Sequence, residues 1–285
     1  IISIKFTTKV KILSTFESRK KQRELNEKLI KFALISAAAI SILTTFGILF
    51  SILFEAIEFF KLRSFWYFIT GTTWSPGVID SQFGALPIFA GTFVITVIAL
   101  GVAIPIGLGS AIYMSEYASP KLRDYLKPLL EVLAGIPSVV YGFFAAITVA
   151  PLVVKIAEAI GLEATFNSAL ASGVVMGIMI IPTISSLSDD VIRSVPDSQR
   201  KASFGLGMTH GETIRDIVLP SAMPGIISAS LLALSKALGE TMVVVMAAGL
   251  RPNLSWNPLE DMTTVTVTIV NALVGDFEFS SPETL

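Results

Sequence analysis

Long apolar runs separated by short polar islands set the pattern of this chain. A hydrocarbon core of about 30 Å takes about 20 residues of apolar helix to cross. Five runs reach that length, at residues 30–54, 85–113, 129–153, 169–187 and 225–250. Each is expected to be helical, because an open strand edge leaves backbone groups unpaired in lipid. The predicted fold class is all-α, a polytopic transmembrane helical bundle. Gly173 and Gly177 stand four apart, a spacing that lets helices approach closely. Pro105 and Pro137 are expected to kink or end their helices.

Charge orients these spans. With the N-terminus inside, sixteen Lys and Arg fall on inner segments and four on outer ones. Nine of the sixteen lie between Lys5 and Lys31, and Arg193, Arg200, Lys201 and Arg215 belong to the third inner segment. Positive charge collects on the cytoplasmic side, so the expectation is a multi-pass cell-membrane protein with a cytoplasmic N-terminus. The organisation follows: a basic tail at 1–29, a first span and extracellular loop at 30–84, a core at 85–250 and an outer segment at 251–285. The tail either lies along anionic lipid, contacts another subunit or is disordered, the first being preferred. Trp66, Tyr67, Trp74 and Trp256 fall near the predicted outer interface, as interfacial anchors or as ordinary loop aromatics.

Composition narrows the function classes. Only 15% of residues are charged, against about a quarter in soluble domains. A net charge of −1 supplies no global field for nucleic acid. The absence of cysteine excludes disulfides, thiolate zinc sites and cysteine nucleophiles, and His210 is the only histidine. The first apolar run starts near Ile30 and is too long for the core of a cleaved signal peptide.

Two polar features remain. Residues 189–220 read as two short helices joined by a break. Pro196 starts the first, Gly205 and Gly207 loosen its end, and Thr209 with Glu212 fits a capping box for the second. Pro220 then marks the junction with the last span. Ile214, Ile217 and Val218 form an apolar ridge, which either fills a partner's groove or packs within the loop. The second feature is Lys236 and Glu240, four apart within 225–250 and so expected on one helix face. A charge inside a span costs at least ~2.5–3.5 kcal/mol. The pair is either a structural ion pair or the lining of an anion pathway.

The spacing in the polar island resembles the coupling loop of ABC-importer permeases. Their E-A-A, three residues, Gly, nine residues, Ile, one residue, Leu-Pro pattern is met by Lys201-Ala202-Ser203, Gly207, Ile217 and Leu219-Pro220. Lys201 replaces the usual Glu, and Ser203 the second Ala. AGIPSVVYGFFA at 134–145, IMIIPTISSLSDDVIRSVP at 178–196 and KALGETMVVVM at 236–246 are similar to the PstC family of phosphate-transport permeases. GALPIFAGTFVIT at 84–96 and GLGSAIYMSEYA at 107–118 fit the same family. That family carries Arg where this chain has Lys236, which keeps the charge but loses the bidentate fork.

The resemblance implies a type I ABC-importer permease fold with a cytoplasmic helical coupling loop. ATPase docking would fall to Arg200, Lys201, Ala202, Ser203, Gly207, Ile217, Leu219 and Pro220, and the translocation pathway to Lys236 and Glu240. It implies a sister permease resembling PstA, an ATPase dimer and an extracellular phosphate-binding protein as partners, with phosphate as cargo. ATP and magnesium would sit on the ATPase; no cofactor or metal is expected on this chain, which lacks a G-x-x-x-x-G-K-[ST] loop. A final helix would follow the outer segment, beyond residue 285.

Three alternatives stand beside this reading. One is a permease for another oxyanion, molybdate or sulfate. A stand-alone channel or secondary carrier has no use for a capped inner loop. A membrane enzyme needs convergent acid–base groups, and only the lone His210 and the cluster Ser185, Ser186, Asp189 and Asp190 offer any. That cluster reads as a helix leaving the membrane into water.

Overall fold

The structure, a computed structural model, describes residues 2–76 and 81–274, with the side chains of 26–76 and 81–273. Residues 275–285, which hold the end of the expected outer segment, lie outside it. α1 (Ile2–Leu62) is one unbroken helix of 61 residues and a compact unit by itself. The basic segment expected as a tail is therefore helical from Ile2, and continuous with the first span.

The remainder begins with α2 (Phe65–Thr70) and a ribbon of β1 (Trp74–Ser75) and β2 (Gln82–Phe83), paired antiparallel. α3 (Leu86–Ile112) follows, then α4 (Pro120–Ala134), α5 (Ser138–Phe144), α6 (Ala150–Ala159), α7 (Ala169–Ser194), α8 (Asp197–Gly205), α9 (His210–Thr213), α10 (Leu219–Leu238), α11 (Met242–Ala247) and α12 (Val265–Val274). Among the described residues five helical stretches are long and apolar enough to span: Asn26–Leu62, Leu86–Tyr117, Ser138–Ala159, Ala169–Ser194 and His210–Leu238.

Three expected spans differ. The run at 129–153 is not one helix. α4 ends at Ala134, Gly135 to Pro137 break the chain, and the span starts afresh at Ser138. Ser119 opens α4, its hydroxyl accepting from Leu122 N at 3.4 Å, with Pro120 in the first turn. The run at 225–250 also divides, at 239–241, between α10 and α11. α7 continues seven residues past its expected end at 187, to Ser194. The outer segment is not wholly irregular either, since α12 forms within it.

Prolines explain the local geometry. Of three wide π turns, Ala145–Val149 and Ile214–Val218 come just before a proline of a continuing helix, Pro151 and Pro220, while Tyr113–Tyr117 ends α3 ahead of the extended Ala118 and Ser119. A proline ring in a helix presses on the carbonyl four residues back and donates no hydrogen bond. In each turn the N–H at the end of the π segment reaches five residues back instead: Ala118 to Tyr113, Ala150 to Ala145, Leu219 to Ile214. Pro220 thus marks no junction, and α9 runs through its π turn into α10.

α3 and α7 form the centre of the larger unit. Their contact depends on glycines. A Cβ on Gly177 would lie 2.8 Å from the Ala99 carbonyl and from Val102, and one on Gly173 would lie 2.8 Å from Ile98. Gly107 of α3 faces Ile184 at the same closeness, 2.9 Å. Ile95, Ala99, Val175, Met176 and Ile180 are buried along this seam. The N-terminal end of α7 is sealed by the 251–264 loop: Ala169 N donates to the Glu260 carbonyl at 3.0 Å and Leu170 N to the Pro258 carbonyl at 2.8 Å. The Ser168 hydroxyl accepts from Ala171 N. Val265 N, at the start of α12, donates to Thr92 Oγ1 of α3 at 3.0 Å.

Gly177→Leu is expected to force α3 and α7 apart and destabilise the fold by about 1–3 kcal/mol, the usual range for overpacking. Gly101→Leu, on the open side of α3 with nothing within 4 Å of its Cβ position, is expected to be neutral or slightly stabilising. Thermal unfolding in detergent micelles measures the difference.

Candidate functional site

The polar segment after α7 is a rigid helix–turn–helix. Pro196 starts α8 as expected. Gly207 ends it in the left-handed region, at φ 82°. Gly207 N donates to the Phe204 carbonyl at 3.0 Å and Met208 N to the Ser203 carbonyl at 3.1 Å, the paired bonds of a Schellman stop. A Cβ at 207 would meet nothing, so conformation rather than space selects glycine. Thr209 then opens α9 with the expected capping box: Thr209 N donates to Glu212 Oε2 at 2.8 Å, and Glu212 N donates to Thr209 Oγ1 at 3.4 Å.

The apolar ridge packs largely within the chain. Ile214 and Val218 turn inward, Val218 packing with Ala111, Ile192 and Ala222, so the ridge is largely self-filled. Ile217 and Leu219 are half-buried; Lys201, Ala202, Gly207 and Pro220 are exposed. Two of the expected docking residues face inward instead. Ser203 is buried, its hydroxyl 2.9 Å from Thr213 Oγ1, which ties α8 to α9. The Arg200 side chain is 16% exposed and pairs with Glu116 at 2.8 Å. It also donates to the carbonyls of Ile192 at 3.0 Å and of Val195.

Among polar neighbours the segment also presents large apolar side chains outward. Leu206 is 84% exposed and Phe204 46%. The spacing pattern does not mark either one; the available signal was a leucine set between Gly205 and Gly207 in a polar island. His210 begins α9, its Nε2 at 3.8 Å from Glu116 Oε2 and its ring 5.1 Å from that of Tyr117.

The acidic cluster at the end of α7 is not a helix leaving into water. Asp189 is fully buried and pairs with Arg123 of α4 at 2.6 Å; Asp190 pairs with Lys127 at 2.5 Å. The hydrogen bond to Asp189 raises the Arg123 guanidinium above its ordinary value. Ser185 is buried, and its hydroxyl donates to Ser110 of α3 at 3.0 Å. Arg123 and Lys127 thereby tether the amphipathic α4 along α7.

Lys236 and Glu240 do not share a helix face. α10 ends at Leu238 with Gly239 as its cap, so Lys236 lies in the last helical turn and Glu240 in the break. The Glu240 carboxylate turns forward: its Oε1 accepts from Met242 N at 3.1 Å and Val243 N at 3.3 Å, capping α11. Its backbone carbonyl accepts from Thr266 Oγ1 at 3.0 Å. Lys236 is exposed and makes no ion pair among the described residues. An ammonium in the last turn complements the carbonyl end of α10. Among the described residues no three His, Cys, Asp or Glu side chains gather as a metal site.

Residues 103–270, which include α7, the 197–213 segment and the α10–α11 break, match the family model described as the inner membrane component of binding-protein-dependent transport systems. The chain belongs to this family. It is 36% identical over 216 residues to a probable ABC transporter permease protein, YqgH, of Bacillus subtilis, covering 76% of this chain and 68% of that one. It is 35% identical over 267 residues to the phosphate transport system permease protein PstC of Mesorhizobium japonicum, covering 86% and 80%. A PstC 1 protein of Mycobacterium tuberculosis is 33% identical over 249 residues, covering 77% and 73%. As a member of this family, the chain is an integral membrane transport component.

In this permease the break after α10 depends on one side-chain acceptor. Glu240→Ala is expected to raise amide exchange at Met242 and Val243 by about fivefold, the equivalent of the ~1 kcal/mol of a lost cap. Glu240→Gln keeps a carbonyl oxygen and is expected to preserve protection. Hydrogen exchange of the purified chain measures both.

Proposed function

We propose that this chain is the permease subunit of an ATP-driven phosphate importer, forming half of its translocation pathway with a PstA-like sister permease. An ATPase dimer carrying ATP and magnesium docks on the 197–213 segment, on the cytoplasmic side with the N-terminus. An extracellular phosphate-binding protein delivers the anion from the other side.

The observation that carries this reading is the build of that segment. The facing ends of its two helices are hydrogen-bonded, its middle is locked by the Ser203–Thr213 contact, and yet it holds Leu206 and Phe204 in the open. Rigid apolar side chains at the tip of a polar element suit insertion into a partner's groove. A stand-alone channel has no use for such an element. Phosphate as the cargo rests on the names of the PstC relatives and on the unpaired ammonium of Lys236. With the Glu240 carboxylate engaged on α11, that charge is free to attract an anion as a point charge rather than a fork.

ATP-driven uptake in proteoliposomes holding all four components tests the reading. Labelled phosphate is expected to accumulate only with ATP and every component present; accumulation of sulfate or molybdate instead would overturn the cargo assignment. Lys236→Ala is expected to lower phosphate uptake at least tenfold, about 1.4 kcal/mol, with assembly intact. Leu206→Glu is expected to leave the thermal midpoint of the chain unchanged and to weaken ATPase association about tenfold or more, an anchor-residue loss. Co-purification with the ATPase reads that directly.

A further inference from the structure

We propose that Glu116 is the joint through which movement of the 197–213 segment is passed to α3, with Arg200 as its clamp. The proposal rests on the ABC-permease reading above. Glu116 stands in the π turn that ends α3, and its side chain is 6% exposed. A buried carboxylate is held there only by a matching cation and hydrogen bonds. Arg200 of α8 meets its Oε1 at 2.8 Å, and His210 of α9 approaches its Oε2 at 3.8 Å. The two short helices of the segment therefore converge on the two oxygens of one carboxylate.

The same guanidinium secures the other side. Its bonds reach the carbonyls of Ile192, which also accepts from Val195 N, and of Val195 at the end of α7. Arg200 is thus fixed to α7, and Glu116 connects α8 and α9 to α3. The aromatic edge of Tyr117 on the His210 ring adds a second contact beside it. A force applied at Leu206 and Phe204 reaches the α3–α7 seam by a short, buried polar path. Beyond this joint the segment reaches α10 through an exposed bond, the Ser221 hydroxyl donating to Gln199 Oε1 at 3.1 Å, and the residues that follow it, Ile214 and Val218, pack by apolar contact. That packing can slide, because it has no directional bond, whereas the carboxylate–guanidinium bond fixes register.

Glu116 is accordingly a positioning residue, and its removal is expected to separate hydrolysis from transport. In the reconstituted four-component complex, Glu116→Gln is expected to cut phosphate uptake about tenfold, within the usual range of coupling between sites. ATPase co-purification and ATP hydrolysis are expected to stay within about twofold of the parent, as only the coupling changes. Arg200→Gln is expected to do the same, and the double variant no worse than either single one, since both break one contact. Arg200→Lys keeps the charge without the fork and is expected to restore part of the uptake. Unchanged uptake, loss of hydrolysis in parallel with uptake, or additive losses would each overturn the proposal.

Hydrogen exchange on the purified chain supplies a readout independent of cargo. Glu116→Gln is expected to raise exchange in residues 113–117 and 197–213 together, and an unchanged pattern there sinks the joint whatever is transported. If the parent complex moves no phosphate while that paired rise is seen, the functional reading fails and the joint stands.

Discussion

Hydrocarbon offers no hydrogen-bond partners, so every break in a membrane helix must find its own. Much of the architecture follows from that constraint. Where α10 stops, the Glu240 carboxylate turns forward to hold two N–H groups of α11. Where α7 begins, carbonyls of the 251–264 loop receive its first amides. Where Pro151 and Pro220 interrupt the ladder, the turn ahead widens and bonds reach one residue further back. Each solution consumes a specific side chain or carbonyl, and it leaves that group unavailable for other work. Glu240 shows the consequence: a residue whose charge suggests a pathway partner for Lys236 is occupied in keeping the backbone satisfied.

The same logic separates the two ends of the 197–213 segment into inside and outside. Two of its polar side chains are spent inward, Arg200 on Glu116 and the end of α7, Ser203 on Thr213. Its apolar side chains, Leu206 and Phe204, are left in the open. This inverts the soluble-protein pattern, in which large apolar groups gather inside. A surface arranged this way suits the proposed docking role by shape and hydrophobicity, while the ion pair to Glu116 fixes how the segment is held. Lys201, which stands where the resemblance expects Glu, falls on an exposed position and takes no part in the internal frame.

Much of this was legible in the chain alone. Apolar length revealed five spans because lipid demands it, and Thr209 with Glu212, Pro196 and Gly207 announced the caps because those residue types have few other uses in that order. Gly173 and Gly177 announced the α3–α7 seam. Where the reading went astray, the cause was a local signal averaged away or a long-range partner out of view. The apolar run at 129–153 hides the Gly135–Pro137 break, since hydrophobicity continues across it. Asp189 looked like a helix leaving into water because Arg123, 66 positions away in sequence, is its partner. Arg200 looked like a docking residue for the same reason, with Glu116 84 positions distant.

Lys236 and Glu240 are the most instructive case. Spacing of four means a shared face only if the helix continues, and Gly239 ends it. Once the helix stops, the two side chains answer to different elements, the ammonium to the carbonyl end of α10 and the carboxylate to the amide end of α11. Each is then stabilised by the helix end it complements, and neither needs the other. A charge stabilised by a helix terminus keeps its field directed outward, because no counter-ion beside it cancels that field. For a cation proposed to draw an anion through a membrane, that is a better arrangement than an ion pair: the attraction is present, and the absence of a bidentate fork keeps it weak enough to release.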